Sequence, residues 1–209
     1  MEDQFNWGFE DELGGKNQFV KKHAASDAII DFSDQMKVDE LMRFEIVKSL
    51  NFKVPRPGEN IFAITTKAIS LMDVMNYIEN EIGKISEAIV FFYTINDKAA
   101  RYICELSKRA NLKIIISDLM NSQRQKERVI TQIFDENNVN IVFCHNHSKI
   151  ASFKIGENYF TLTGSMNAGN NARIESIEIM NSKKMYDFIN QTFTVFSEKF
   201  SINKRYAES

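Results

Sequence analysis

Beyond Val54-Pro55-Arg56-Pro57-Gly58, the apolar positions of this chain alternate between short continuous runs and helix-spaced stripes. Two prolines and a glycine interrupt both helix and strand pairing, so that stretch marks a boundary. Ile61–Thr66 predicts a strand, and Leu71, Val74, Met75, Ile78 and Ile82 predict one face of a helix with Ser70 as its N-cap. A strand over Ala88–Ile95, a helix near Lys98–Ala110, a strand over Lys113–Ser117, a helix near Arg124–Phe134 and a strand over Val139–Cys144 follow. Strands separated by helices predict parallel crossovers, hence an α/β fold with a mixed, mostly parallel sheet flanked by helices. Ligands of such sheets gather at the carboxyl ends of the strands.

The remainder of the chain predicts strands of mixed direction. Lys149–Ile155 and Asn158–Thr163 are apolar-rich runs around Gly156-Glu157, a tight turn. Pairing Ile155 with Asn158 makes opposed residue numbers sum to about 313, which sets Met166 across from His147. Ile174–Met180 predicts one more strand. Met185, Phe188, Ile189, Thr192, Phe193 and Phe196 then share a face of a last helix, capped by Ser182 and expected to be core.

Upstream of the boundary the pattern is weaker. Asp39–Leu50 looks helical, whereas Met1–Gln18 is polar, carries Gly14-Gly15 and has no periodicity. Residues 1–54 are therefore expected to form an acidic, partly flexible and partly helical appendage, and 55–209 the main domain. Charge sharpens that division. Met1–Leu41 holds ten acidic and four basic residues, a net of −6, which within an overall −2 leaves +4 for the rest. A modestly basic body can engage phosphates locally although the whole chain is not a basic protein. No apolar run is long enough to cross a bilayer, and the acidic first residues do not look like a secretory leader, so a cytoplasmic, non-membrane protein is expected. Cys104 and Cys144 sit in apolar segments and, with His23, His145 and His147, make no metal-ligand spacing; no metal or other cofactor is expected.

The chemistry-bearing residues cluster late. His147-Ser148-Lys149 is followed by Gly164-Ser165-Met166-Asn167 and then by Arg173-Ile174-Glu175. On an extended strand a His and a Lys two apart point to one face, so a nucleophile and a cation can meet one phosphate. Gly164 permits close backbone approach. Alone, each piece is weak: His-x-Lys is common, and Gly, Ser and Asn also shape turns. Asp118, just after the third helix-flanked strand, can reach the same place, although an Asp starting a loop is the plainer reading.

In order and spacing the three pieces resemble the phospholipase D superfamily, whose signature is HxK, then GSxN, then a Glu, and in particular its single-motif, nuclease-like members. The resemblance implies a metal-independent phosphodiesterase with a phospholipase D-like fold in 55–209. His147 would be the nucleophile that forms a phosphohistidine. Lys149 and Asn167 would hold the non-bridging oxygens, supported by Ser165, with Gly164 and Arg173 near the phosphate. A carboxylate would orient the imidazole. Glu178 has a common family interval, whereas Glu175 fits the string Asn171-Ala172-Arg173-Ile174-Glu175 of phage-type members; three apart on a strand, they face opposite sides, and Glu175 is favoured. One departure is plain: the family's Asp five residues after the Lys is here Lys154, a basic residue counted as a further phosphate contact. Because the chain has one motif copy, the resemblance also implies a homodimer with a shared active site and DNA as the expected substrate. Two rivals stand beside it: a noncatalytic nucleic-acid-binding or assembly protein on the same fold, and a phospholipid phosphodiesterase.

Overall fold

Residues 44–50, 53–118, 126–168 and 174–200 are described in the computed structural model and belong to one unit, Asp39–Ser209. Met1–Gln18, most of the expected appendage, and Arg173 lie outside the described residues. After a short helical segment at 44–49, the elements are β1 (Asn60–Thr65), α1 (Leu71–Ile82), β2 (Glu87–Phe92), α2 (Asp97–Ser107), β3 (Asn111–Ser117), α3 (Lys126–Glu136) and β4 (Val142–Cys144). They continue with β5 (Ile150–Ile155), β6 (Asn158–Gly164), β7 (Glu175–Asn181) and α4 (Lys183–Lys199).

Local chemistry sets the helix starts. The Ser70 hydroxyl accepts from the Asp73 backbone N–H at 3.2 Å while Asp73 Oδ2 accepts from the Ser70 N–H at 2.7 Å, a reciprocal cap on α1. Asn96 caps α2 through the Ala99 N–H at 2.9 Å, and Ser182 caps α4 through the Met185 N–H at 3.3 Å.

The seven strands form one sheet in the order β1-β7-β6-β5-β2-β3-β4. The sheet is mixed, as expected, but mostly antiparallel rather than mostly parallel. Only β2–β3 and β3–β4 are parallel, whereas β1–β7, β7–β6, β6–β5 and β5–β2 are antiparallel. Helix–strand alternation reveals order along the chain and not adjacency: α1 follows β1, yet β1 crosses to the far edge and pairs with β7. The two-residue connection at Gly156-Glu157, where Gly156 takes φ 55°, can only join antiparallel strands. Ile155 pairs with Asn158 and Ile150 with Thr163, the register expected from the sequence.

Two apolar layers sandwich the middle of this sheet. Ala88, Val90 and Phe92 of β2 join Ile114 and Ile116 of β3 on the α1–α3 side, while Ile89, Phe91 and Ile115 face α4. Burial of both faces accounts for the unbroken apolar runs of β2 and β3. On α4 the buried side chains are Tyr186 and Ile189, with Met185 and Phe193 half-buried beside them; Phe188 is 60% exposed and departs from the expected core face. Tyr186 joins the buried face instead, and its hydroxyl donates to Glu87 Oε2 at 3.0 Å.

At the sheet edge opposite the strand ends that carry the motif, Glu79 is nearly sealed from solvent, its side chain 2% exposed. Its carboxylate takes a two-pronged contact from Arg109, the second at 2.8 Å, an N–H from Ile85 at 3.2 Å and the Tyr102 hydroxyl at 3.4 Å. Burial, then the Glu79 charge, pushes the Tyr102 phenol up. Arg109→Ala leaves a buried carboxylate without its cation, and we expect a loss of about 3 kcal/mol. Urea unfolding reads it as a lower midpoint at unchanged slope; an unchanged midpoint would show the pair to be dispensable.

Candidate active site

Because β5 runs against β2, β6 against β5 and β7 against β6, one sheet edge collects the ends of β2, β3, β4 and β6 and the starts of β5 and β7. Along that edge lie Tyr93, Asp118, His145, His147, Lys149, Ser165, Asn167 and Glu175. His147 and Lys149 do not sit on an extended strand. The ladder begins at Ile150, so Met166 does not pair across from His147, and residues 145–149 form an irregular link from β4 to β5. Asn146 accounts for the interruption: buried, it accepts the Ser148 N–H on its side-chain oxygen at 2.9 Å, a local bond that competes with the ladder.

His147 is exposed, and its imidazole lies against the half-buried Tyr93 ring, centroids 4.2 Å apart and planes tilted by 55°. Lys149 Nζ lies 5.2 Å from the centroid of the same ring and donates to the His147 carbonyl oxygen at 3.3 Å. Imidazole and ammonium thus share one aromatic wall, a contact the sequence reading did not anticipate. Its signal was the position of Tyr93, first residue past a strand buried on both faces.

Ser165 and Glu175 meet across the β6–β7 opening. The Ser165 hydroxyl donates to Glu175 Oε2 and accepts the Ser176 N–H at 2.9 Å, and the Ser165 N–H donates to the Ser176 carbonyl at 3.0 Å. Gly164 makes this closeness possible: a Cβ on it would stand 2.1 Å from the Ser176 carbonyl oxygen. Glu175 is 6% exposed, on the face it shares with Ile177 and Ile179. Glu178 points to the other face, where its Oε1 accepts from Asn60 Nδ2 at 3.1 Å. Among the described residues no hydrogen bond joins Glu175 to His147; its observed donor is Ser165.

Asn167 is tied down through its backbone, whose carbonyl accepts the Leu71 N–H at 3.2 Å. Its side-chain oxygen is buried without a hydrogen-bond partner among the described residues. Asp118 pairs with His145, Oδ1 to Nδ1 at 3.4 Å, and burial, then the Asp118 charge, raises the Cys144 thiol. Lys154 is not brought to the site. It lies at the other end of β5 and pairs with Glu87 at 3.2 Å, four residues beyond Ile150 on a strand that runs away from His147. Among the described residues no group of three or more His, Cys, Asp and Glu side chains gathers as a metal site would.

No family model matches the chain, and no curated protein does. Solved structures do. Nuc from Salmonella typhimurium, a phospholipase D family member, superposes with a TM-score of 0.52 at 12% identity, over 69% of this chain and 99% of that one. Polyphosphate kinase from Porphyromonas gingivalis gives 0.51 at 10% identity over 71% of this chain and 27% of its own. NucT from Helicobacter pylori gives 0.48 at 16% identity over 68% of this chain and 98% of its own. The chain has a phospholipase D-like fold: a mixed seven-stranded sheet between helices.

Proposed function

We propose that the protein is a metal-independent phosphodiesterase acting on DNA through a phosphohistidine, in an active site shared by two copies of the chain, and that it works in the cytoplasm. The observation that supports this reading is that His147, Lys149, Ser165, Asn167 and Glu175 all lie at the same end of the strands of a phospholipase D-like sheet, with His147 beside Lys149 and Ser165 beside Glu175. Among the described residues no helix is long and apolar enough to cross a membrane.

An imidazole nitrogen of His147 attacks phosphorus, the bond from phosphorus to the leaving oxygen breaks, and that oxygen takes a proton from an acid on the opposite side. Water then attacks phosphorus, the P–N bond breaks, and the water proton returns to the base left by the acid. Splitting one displacement into two lowers each barrier. Lys149 and the Asn167 amide hold the non-bridging oxygens as charge builds on them. Glu175 orients the imidazole, with Ser165 fixing the carboxylate. One His cannot attack and donate in the same step, so the acid is His147 of the partner subunit, related by a two-fold axis.

A noncatalytic nucleic-acid-binding role is the second reading. It is favoured by the absence of a Glu175–His147 hydrogen bond among the described residues and by Lys154 standing where the family has an Asp. Purified protein incubated in EDTA with single-stranded DNA, double-stranded DNA and phospholipid vesicles separates these readings. DNA cleavage is expected. Binding without cleavage selects the second reading, lipid hydrolysis alone a lipid enzyme, and cleavage that appears only with added magnesium or manganese overturns the mechanism.

A further inference from the structure

We infer that Tyr93 is a positioning residue for the nucleophile and the phosphate-binding cation, an inference that rests on the phosphodiesterase reading. Its ring is the one aromatic surface among the described residues that both functional side chains touch, 4.2 Å from the His147 ring centre and 5.2 Å from the Lys149 ammonium.

The need for such a wall follows from where the pair sits. His147 and Lys149 lie in an irregular link and not in the ladder, so the sheet does not fix their directions. An exposed imidazole has two free torsions and a lysine ammonium four, and an in-line displacement demands both within a fraction of an ångström of one phosphate. Tyr93 is anchored by the strand it follows. It is half-buried and follows directly on Phe92, which is fully buried, in a strand flanked by β5 and β3. The β2–β5 ladder ends at the Phe91–Ile150 pair, so Tyr93, two residues further on, stands beside the link that carries His147 and Lys149. The ring face attracts the ammonium through its quadrupole and blocks imidazole rotamers that turn toward β2. The backbone carbonyl of His147, which accepts from Lys149, closes the same small circuit.

The phenol oxygen has no part in this account; the ring does all of it. Tyr93→Phe should therefore keep kcat within about twofold of wild type, whereas Tyr93→Leu should lower kcat by roughly 10- to 100-fold with KM changed less than about threefold. In NMR spectra of the whole chain, ring current from Tyr93 should displace the His147 ring-proton signals upfield in wild type and Tyr93→Phe, and the displacement should vanish in Tyr93→Leu. Tyr93→Gln replaces Tyr93→Leu if the latter does not fold. Wild-type kcat in a folded Leu or Gln variant overturns the inference, as does a pure KM effect, which would make Tyr93 a substrate contact. Equal damage in the Phe variant overturns it too, by transferring the role to the hydroxyl. Wild-type protein that cleaves no phosphodiester sinks the functional reading instead, and the His147 signals still report whether the ring contact exists.

Discussion

His147→Ala abolishes turnover, lowering kcat by about 10³-fold or more, while the protein unfolds at the wild-type temperature. Both halves of that expectation come from the same geometry. The imidazole is exposed and touches the Tyr93 ring, so its removal opens no cavity and strands no buried partner; changes of this kind are usually within about 0.5 kcal/mol. Chemically nothing replaces it. His145, two residues away, is largely exposed, and the contact found for its ring is with Asp118 at 3.4 Å and not with Lys149 or Tyr93. The measurement is cleavage of labelled DNA in EDTA, with an acid-labile phosphoprotein trapped from wild type and missing from the variant. Near-normal cleavage by a contaminant-free variant would remove His147 as nucleophile.

Gly164→Ala is the second large effect, and it is structural first. The new methyl would lie 2.1 Å from the Ser176 carbonyl oxygen, 2.9 Å from its carbon and 3.0 Å from Ile177 Cα, all backbone atoms of β7. Side chains can swing aside, but a paired strand cannot without losing its bonds, and φ at Gly164 is +159°, a region Ala rarely adopts. Opening the strands enough to admit the methyl breaks the Ser165–Ser176 exchange and draws Ser165 from Glu175. A cost of roughly 3 kcal/mol is expected from overpacking against backbone, together with a large loss of activity in protein that is still folded. Urea midpoints and cleavage rates at low temperature read the two separately. A variant as stable and as active as wild type would mean that β6 and β7 do not approach as described.

How much of this was legible in the sequence depends on the range of the interaction. Where a short segment dictated its own partner, reading succeeded: Gly156-Glu157 fixed the hairpin register, Ser70 and Ser182 capped their helices, and the two-residue period put Glu175 and Glu178 on opposite faces. Where the partner lay far along the chain, pattern carried no information. Nothing near Ile61 says that β1 will pair with β7, and helix–strand alternation suggested a parallel neighbour instead. The link at 145–149 departs from a strand for a local reason, since one buried Asn side chain takes a backbone N–H that a strand would use. Phe188 shares the spacing of the apolar face yet stands 60% exposed, while Tyr186, whose hydroxyl donates to Glu87, is buried; a polar partner that far along the chain leaves no mark on the apolar spacing. Tyr93 carried no motif. Its place against His147 exists only because β2 and β5 are neighbours.

That distance between β1 and its partner matters while the chain is being made. β1 lies at the sheet edge, and among the described residues its ladder partner is β7, which begins at Glu175. At ~5–20 residues per second, several seconds to tens of seconds of translation separate the two strands. For that interval β1 is a nascent strand with open N–H and C=O groups and no sheet to join. Phe62 and Ile64, which stay 65% and 66% exposed even after pairing, make it adhesive. Glu59 and Lys67, which flank the strand, are the charged residues placed to discourage β1 from pairing with another copy during that interval.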